Sequence, residues 1–206
     1  MRMLAPPTPA VLMMMLATAC APNLGAGADA DADSVVMVDE IGGPNIGHLD
    51  EGDNVFLTTI DASSETDWVY LSLVDGVQVE PDDPQTDPSW DLAFLRFHIK
   101  LNGGVSGASG VAAAQLDGVD FDDVSDAPAE GFEVDAPDGD DDDEDPDYVL
   151  RHWYDYSVMT HVLTPTATVY VVRSGDDHYR LQLDAYYDEA GSSGHPSFRW
   201  GSIAAP

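Results

Sequence analysis

A chain of 206 residues carrying 39 Asp and Glu against 7 Lys and Arg has a formal net charge of −32. Such a field works against binding nucleic acid or anionic membrane surfaces, since both are polyanions. The single cysteine excludes an intrachain disulfide, so stability must come from core packing.

In chain order, the first signal is an address. Arg2, an apolar run from Ala10 to Ala17 and the small residues of Leu16-Ala-Thr-Ala-Cys20 describe a secretory signal over residues 1–19, too short to span a bilayer. The segment before Cys20 resembles a bacterial lipobox, which makes Cys20 the expected lipidation site and the mature N-terminus. Residues 20–34 are small, acidic and unpatterned, as a flexible tether would be. The globular domain is expected over 35–206, long enough for a real core.

Strand signals dominate that domain. Val55–Ile60 and Trp68–Val74 are rich in β-branched and aromatic residues, and Asp75-Gly76 before Val77–Val79 marks a hairpin. After a proline-broken stretch from Pro81 to Pro88, Trp90–Leu101 reads as one long strand. Ala93, Leu95, Phe97, Ile99 and Leu101 would share its core face, and Asn102-Gly103-Gly104 would turn the chain. Residues 105–145 show little period and read as a long irregular excursion, with one short helix over Val111–Leu116. Further on, Thr168–Ser174 and His178–Tyr187 flank Gly175-Asp176-Asp177 as an antiparallel hairpin, and Ser197–Trp200 closes the domain. The expected fold is mostly β, a single antiparallel-sheet domain with long loops.

The densest acidic run, Pro137–Asp147, offers the oxygen ligands that calcium uses. Its spacing does not match the D-x-[DN]-x-[DN]-G loop, and packed like charges are usually solvated. Carboxylates solvating the surface in saline surroundings account for most of the acidity. There is no H-E-x-x-H, no C-x-x-C and no phosphate-binding glycine loop. Gly104-Val-Ser-Gly-Ala108 ends in alanine where a nucleophile elbow needs glycine. No enzymatic activity is therefore expected.

Three segments in order resemble the HmuY family of haem-binding lipoproteins. They are the Trp90-led strand with its Asn-Gly-Gly turn, the aromatic run Trp153–Tyr156 with Thr160–Pro165, and Tyr170–Arg173 leading into Leu181–Leu183 and Tyr186-Tyr187. The resemblance implies a hand-shaped all-β domain, tethered outside a Gram-negative outer membrane and gripping haem between two projecting loops. It also implies a pair of axial His or Met ligands, one from each loop. By order along the chain the first loop falls near Pro137–Asp147, where there are only carboxylates. The second follows Ser157, where Met159 and His161 stand close by, and His152 is the nearest substitute for the missing partner. Met159, His161 and His152 are thus the candidate haem-binding residues. Each has a plain structural alternative: gap-filling for Met159, a local hydrogen bond for His161, packing or capping for His152. His98, His178 and His195 read as polar-face or turn residues. The functional expectation is an exported, lipid-anchored protein at the outer membrane or cell surface that captures haem, or takes it from a haem-carrying protein, for an outer-membrane receptor. The competing expectation is a surface lipoprotein on the same scaffold that binds calcium or a protein partner, and the weakest is a carboxylate-based hydrolase.

Overall fold

Turn residues cut the chain into short runs that pair locally, and the computed structural model describes them over residues 42–139 and 145–206. Cys20, the signal segment and the tether lie outside the described residues. The first hairpin joins β1 (Ile46–Gly52) to β2 (Val55–Ile60) through Asp53 and Asn54, both at positive φ. That is the conformation a two-residue turn needs to match strand twist, and Asn and Asp tolerate it best. The sequence pattern alone does not single out β1. Next come β3 (Val69–Ser72) and β4 (Val77–Val79), the hairpin expected at Asp75-Gly76.

The Trp90–Leu101 segment departs from expectation. It is not one strand but two, β5 (Leu92–Leu95) and β6 (His98–Leu101), folded back at Arg96 and Phe97. Arg96 adopts φ +54°, a conformation unfavourable for a side-chain-bearing residue. It is held by its N–H donating to the Ala62 carbonyl (2.9 Å) and its guanidinium donating to Ser63 O (3.1 Å) and Ser193 Oγ (3.0 Å). The core-facing residues are accordingly Leu92 and Phe94 before the turn and Ile99 and Leu101 after it. Their parity flips, which no continuous strand permits.

Val111–Leu116 is the second correction. Ala112–Leu116 is strand β7, paired with β10 (Val169–Ser174). An alanine-rich run this short cannot sustain a helix alone, and pairing with a valine-rich strand overrides its propensity. A ribbon of β8 (Tyr154–Ser157) and β9 (Val162–Pro165) precedes β10. The domain closes with β11 (Asp177–Tyr187) and β12 (Ser193–Ile203), the latter far longer than the Ser197–Trp200 expected.

The six-stranded sheet runs β1-β2-β12-β11-β10-β7 and the four-stranded sheet β4-β3-β5-β6, all pairs antiparallel. Their facing sides make the main core, where Phe94 of β5 stacks on Phe198 of β12 at 5.4 Å. Alternation along β10 sends Tyr170 and Val172 into this core and Val169 and Val171 to the opposite face. There the excursion after β7 folds back as a cover, placing Phe121, Val124 and Ala127 on the valines. Arg180 pins the cover by donating to the carbonyls of Phe121 (2.9 Å) and Val124 (3.3 Å). The excursion is thus not an idle loop but the second layer that lets a six-stranded sheet be buried on both faces.

The Asn-Gly-Gly turn has a tertiary reason. Asn102 is fully buried and its Nδ2 donates to the carbonyls of Asp87 and Trp90, both at 2.9 Å. A Cβ at Gly103 would overlap the Val111 carbonyl, and one at Gly104, which has φ +65°, the Asp135 carbonyl.

Candidate functional site

The β8–β9 ribbon leaves the body at a well-packed base. Trp153 is buried and donates its indole N–H to the Phe97 carbonyl (2.9 Å), while Tyr154 packs edge-on to Phe97. Thr166 N–H donates to Trp153 O (2.9 Å), and Leu163 N–H donates to the Tyr187 hydroxyl (3.1 Å). Away from that base the ribbon carries four of the nine large hydrophobic residues that are exposed among the described residues: Tyr156, Val158, Met159 and Val162. Val158 (74% exposed) and Met159 (87%) are the two most exposed of all. Clustered exposure of this kind makes the tip a candidate binding surface, because nothing in the fold gains from it.

His161 shares the tip. It takes φ +58° to close the turn, with its N–H donating to Ser157 O (2.7 Å). Its Nδ1 lies 2.6 Å from the Tyr156 hydroxyl. In the tautomer where Nδ1–H donates to that hydroxyl oxygen, the Nε2 lone pair is free to ligate, the arrangement usual for metal-bound imidazoles. The structure therefore brings Met159 and His161 to one tip, and both are exposed. It places His152 elsewhere, in the short 3-10 turn Val149–Trp153 at the ribbon's base, with Nε2 accepting the Arg151 Nε–H at 3.2 Å. The length of β8, about 10 Å, separates base from tip.

Beside that base is a cavity of about 310 Å³ lined by His98, His152, Tyr148 and Tyr154 and by the acidic stretch Asp145–Asp147. His98 Nε2 is 3.6 Å from Asp145 Oδ2, and Arg151 ion-pairs with Asp147. Mutual hydrogen bonds between Ala136 and Asp147 close the acidic loop at its foot. Residues 140–144 of that loop lie outside the described residues, so the calcium expectation falls partly on them. Among the described residues no group of three or more His, Cys, Asp or Glu is placed to hold a metal ion. From sequence alone His98 is a polar-face residue. Only the fold-back at Arg96 brings it to the cavity beside His152, and that turn leaves no mark in the local pattern.

As a test of fit to haem, the ribbon side offers what a porphyrin iron and ring need, an imidazole and a thioether amid exposed apolar groups. The described part of the opposite loop offers only carboxylates, so any second donor on that side falls to His98 or His152.

Among solved structures, this chain is similar to a candidate lipoprotein of Bacteroides fragilis, with TM-score 0.56 and 20% identity over 77% of this chain and 96% of that one. It is similar also to a candidate HmuY-like haem-binding protein of Bacteroides vulgatus, with TM-score 0.56 and 18% identity over 76% and 96%. The apo HmuY analogue of Tannerella forsythia matches with TM-score 0.56 and 18% identity over 75% and 99%. At these identities the likeness speaks for the fold. No curated protein matches the chain. Residues 64–200 match the family model described as HmuY protein, from ahead of β3 to within β12. The chain belongs to the HmuY family.

Proposed function

We propose that this protein is an exported, lipid-anchored binding protein that captures haem at the β8–β9 ribbon. The observation that carries the reading is the ribbon tip, where His161 and Met159 stand exposed with Val158 on an element that contributes little to the core. His161, oriented by Tyr156, is the iron ligand on this side, and Met159 and Val158 cover the ring. His152 and His98, at the cavity beside the ribbon's base, are the residues available from the other side. Bound haem would supply the Lewis acidity and any redox chemistry, while the chain supplies donors and apolar walls. Family membership and the haem-binding description of a structural relative support this reading. Cys20, in its lipobox-like setting, is the proposed anchor, residues 1–19 the signal, 20–34 the tether and 35–206 the binding domain. The location is then the outer membrane or cell surface, with an outer-membrane haem receptor as partner.

The experiment is a haem titration of residues 35–206 followed at the Soret band. A saturable, shifted and sharpened band is expected for the wild type. His161→Ala should weaken binding by at least tenfold and move the band, while Met159→Ala should weaken it less. Absence of a saturable change in the wild type overturns the reading.

A further inference from the structure

At the end of β11 remote from the ribbon lies a second cavity, about 540 Å³ in volume. The eleven residues of β11 put about 30 Å between the two sites. Its wall is aromatic. Trp200 is nearly buried and is flanked by Phe56 (ring centroids 5.2 Å apart), Tyr179 (5.8 Å) and the His48 imidazole (6.2 Å). Leu73 is buried beneath, and Val74 is exposed at the mouth. The wall is built rather than accidental. Trp200 Nε1–H donates to Thr58 Oγ1 (2.7 Å), which also lies 2.6 Å from His48 Nδ1.

The rim is anionic. Asp50 from β1, Asp75 from the β3–β4 turn and Asp177 from the start of β11 all line the cavity, and all are exposed. None of them ion-pairs with a described Lys, Arg or His, and no Lys or Arg lines the cavity. Desolvation by burial holds His48 below its ordinary range, against a smaller upward pull from the Gly76 backbone. His48 therefore adds no charge to the site at neutral pH. Burial, helped by the charges of Asp177, Asp91 and Asp75, pushes the Tyr179 hydroxyl up to about 12.

These features select a ligand class. Three carboxylates with no ion-pair partner among the described residues, in a strongly acidic molecule, work against phosphate and other small anions here. The same carboxylates come from three separate elements and do not converge as a metal-ligating group, so a compact divalent ion has no cage. What remains is a diffuse cation with an apolar body. The rim carboxylates suit the charged head, the part-buried Phe56 and the small exposed part of Trp200 suit the apolar body, and a cavity of this volume holds a small organic molecule. We propose that this cavity binds a small organic ammonium ion, its charged head among Asp50, Asp75 and Asp177 and its apolar part against Trp200 and Phe56.

The test uses the full-length chain with benzyltrimethylammonium as probe and benzyl alcohol and benzoate as neutral and anionic counterparts of similar size. Binding is followed by calorimetry and by tryptophan fluorescence. Saturable binding at one site is expected for the cation, at least tenfold weaker for benzyl alcohol and absent for benzoate. The double substitution Asp75→Asn and Asp177→Asn should weaken the cation at least tenfold. Val74→Lys should do the same by setting an ammonium at the mouth while leaving every carboxylate in place, and neither variant should alter the haem titration. Should the double variant fail to fold, the Val74→Lys comparison decides. No saturable binding of the cation, equal binding of benzyl alcohol, or unchanged affinity in a folded variant overturns the proposal.

Discussion

Lys100 shows how much a single residue can carry in so acidic a chain. It is 9% exposed, with its Nζ 4.1 Å from the Trp68 ring centroid, 5.2 Å from Tyr70 and 5.4 Å from Trp90. The aromatic faces attract the ammonium, yet desolvation outweighs this and the Asp135 charge, and lowers its pKa to about 8. The unfolded chain, with an ordinary lysine, therefore binds more protons than the native one between about pH 8 and 10, so stability rises with pH across that window. Above about pH 10 the sign reverses, because buried tyrosines such as Tyr179 resist ionisation that the unfolded chain permits. Urea midpoints measured from pH 7 to pH 11 should thus pass through a maximum. In Lys100→Met the rise, on the order of 1–2 kcal/mol after solvent screening, should vanish while the fall remains. A second residue-scale prediction concerns Asn102. Removing its amide in Asn102→Ala leaves the carbonyls of Asp87 and Trp90 short of a donor, at a cost of about 2–3 kcal/mol by urea unfolding.

At the scale of elements, the strands that stood out in the sequence are those whose two faces differ. In β11, Tyr179, Leu181 and Leu183 meet the main core while Arg180 turns to the cover, so the alternation was visible. The β5–β6 hairpin was misread because apolar residues occupy both parities and Arg96 takes its conformation from partners more than thirty positions distant. β7 was misread because alanines state a preference that only the edge of β10 overrules. β1 carried its own signal in Gly52-Asp53-Asn54, a turn not recognised. For the candidate site, Met159 and His161 are reached through the family resemblance of the flanking segments, and their joint exposure at one tip comes from the fold. That His98 and His152 line one cavity is not legible, since it depends on the turn at Arg96. The ribbon also has a measurable independence, because one of its few ties to the large sheet is the Leu163 N–H bond to Tyr187. In Tyr187→Phe, amide exchange in β8 and β9 should quicken by about tenfold, with the global unfolding midpoint nearly unchanged.

For the whole molecule, the cations among the described residues are committed to structure. Arg96 holds a turn, Lys100 sits among aromatic rings, Arg151 and Arg199 pair with Asp147 and Asp184, and Arg173 and Arg180 cover Phe132 and Phe121. Few are left to offset the surface carboxylates, so repulsion among those is checked mainly by mobile counterions. The melting temperature should therefore climb as sodium chloride goes from about 0.05 M to about 1 M, when the screening length shortens to a few ångströms. A flat response would show that the acidic surface is already neutralised by specific contacts.

The ribbon has one more consequence, for how such a protein changes over generations. Val158, Met159, Thr160 and His161 stand outside both hydrophobic clusters, so replacing them costs the core almost nothing, and only the local turn at His161 is at stake. If the tip holds haem as proposed, mutation can change its ligands without first passing through misfolded intermediates, and a lineage could retune or abandon that ligand while the sheets beneath persist.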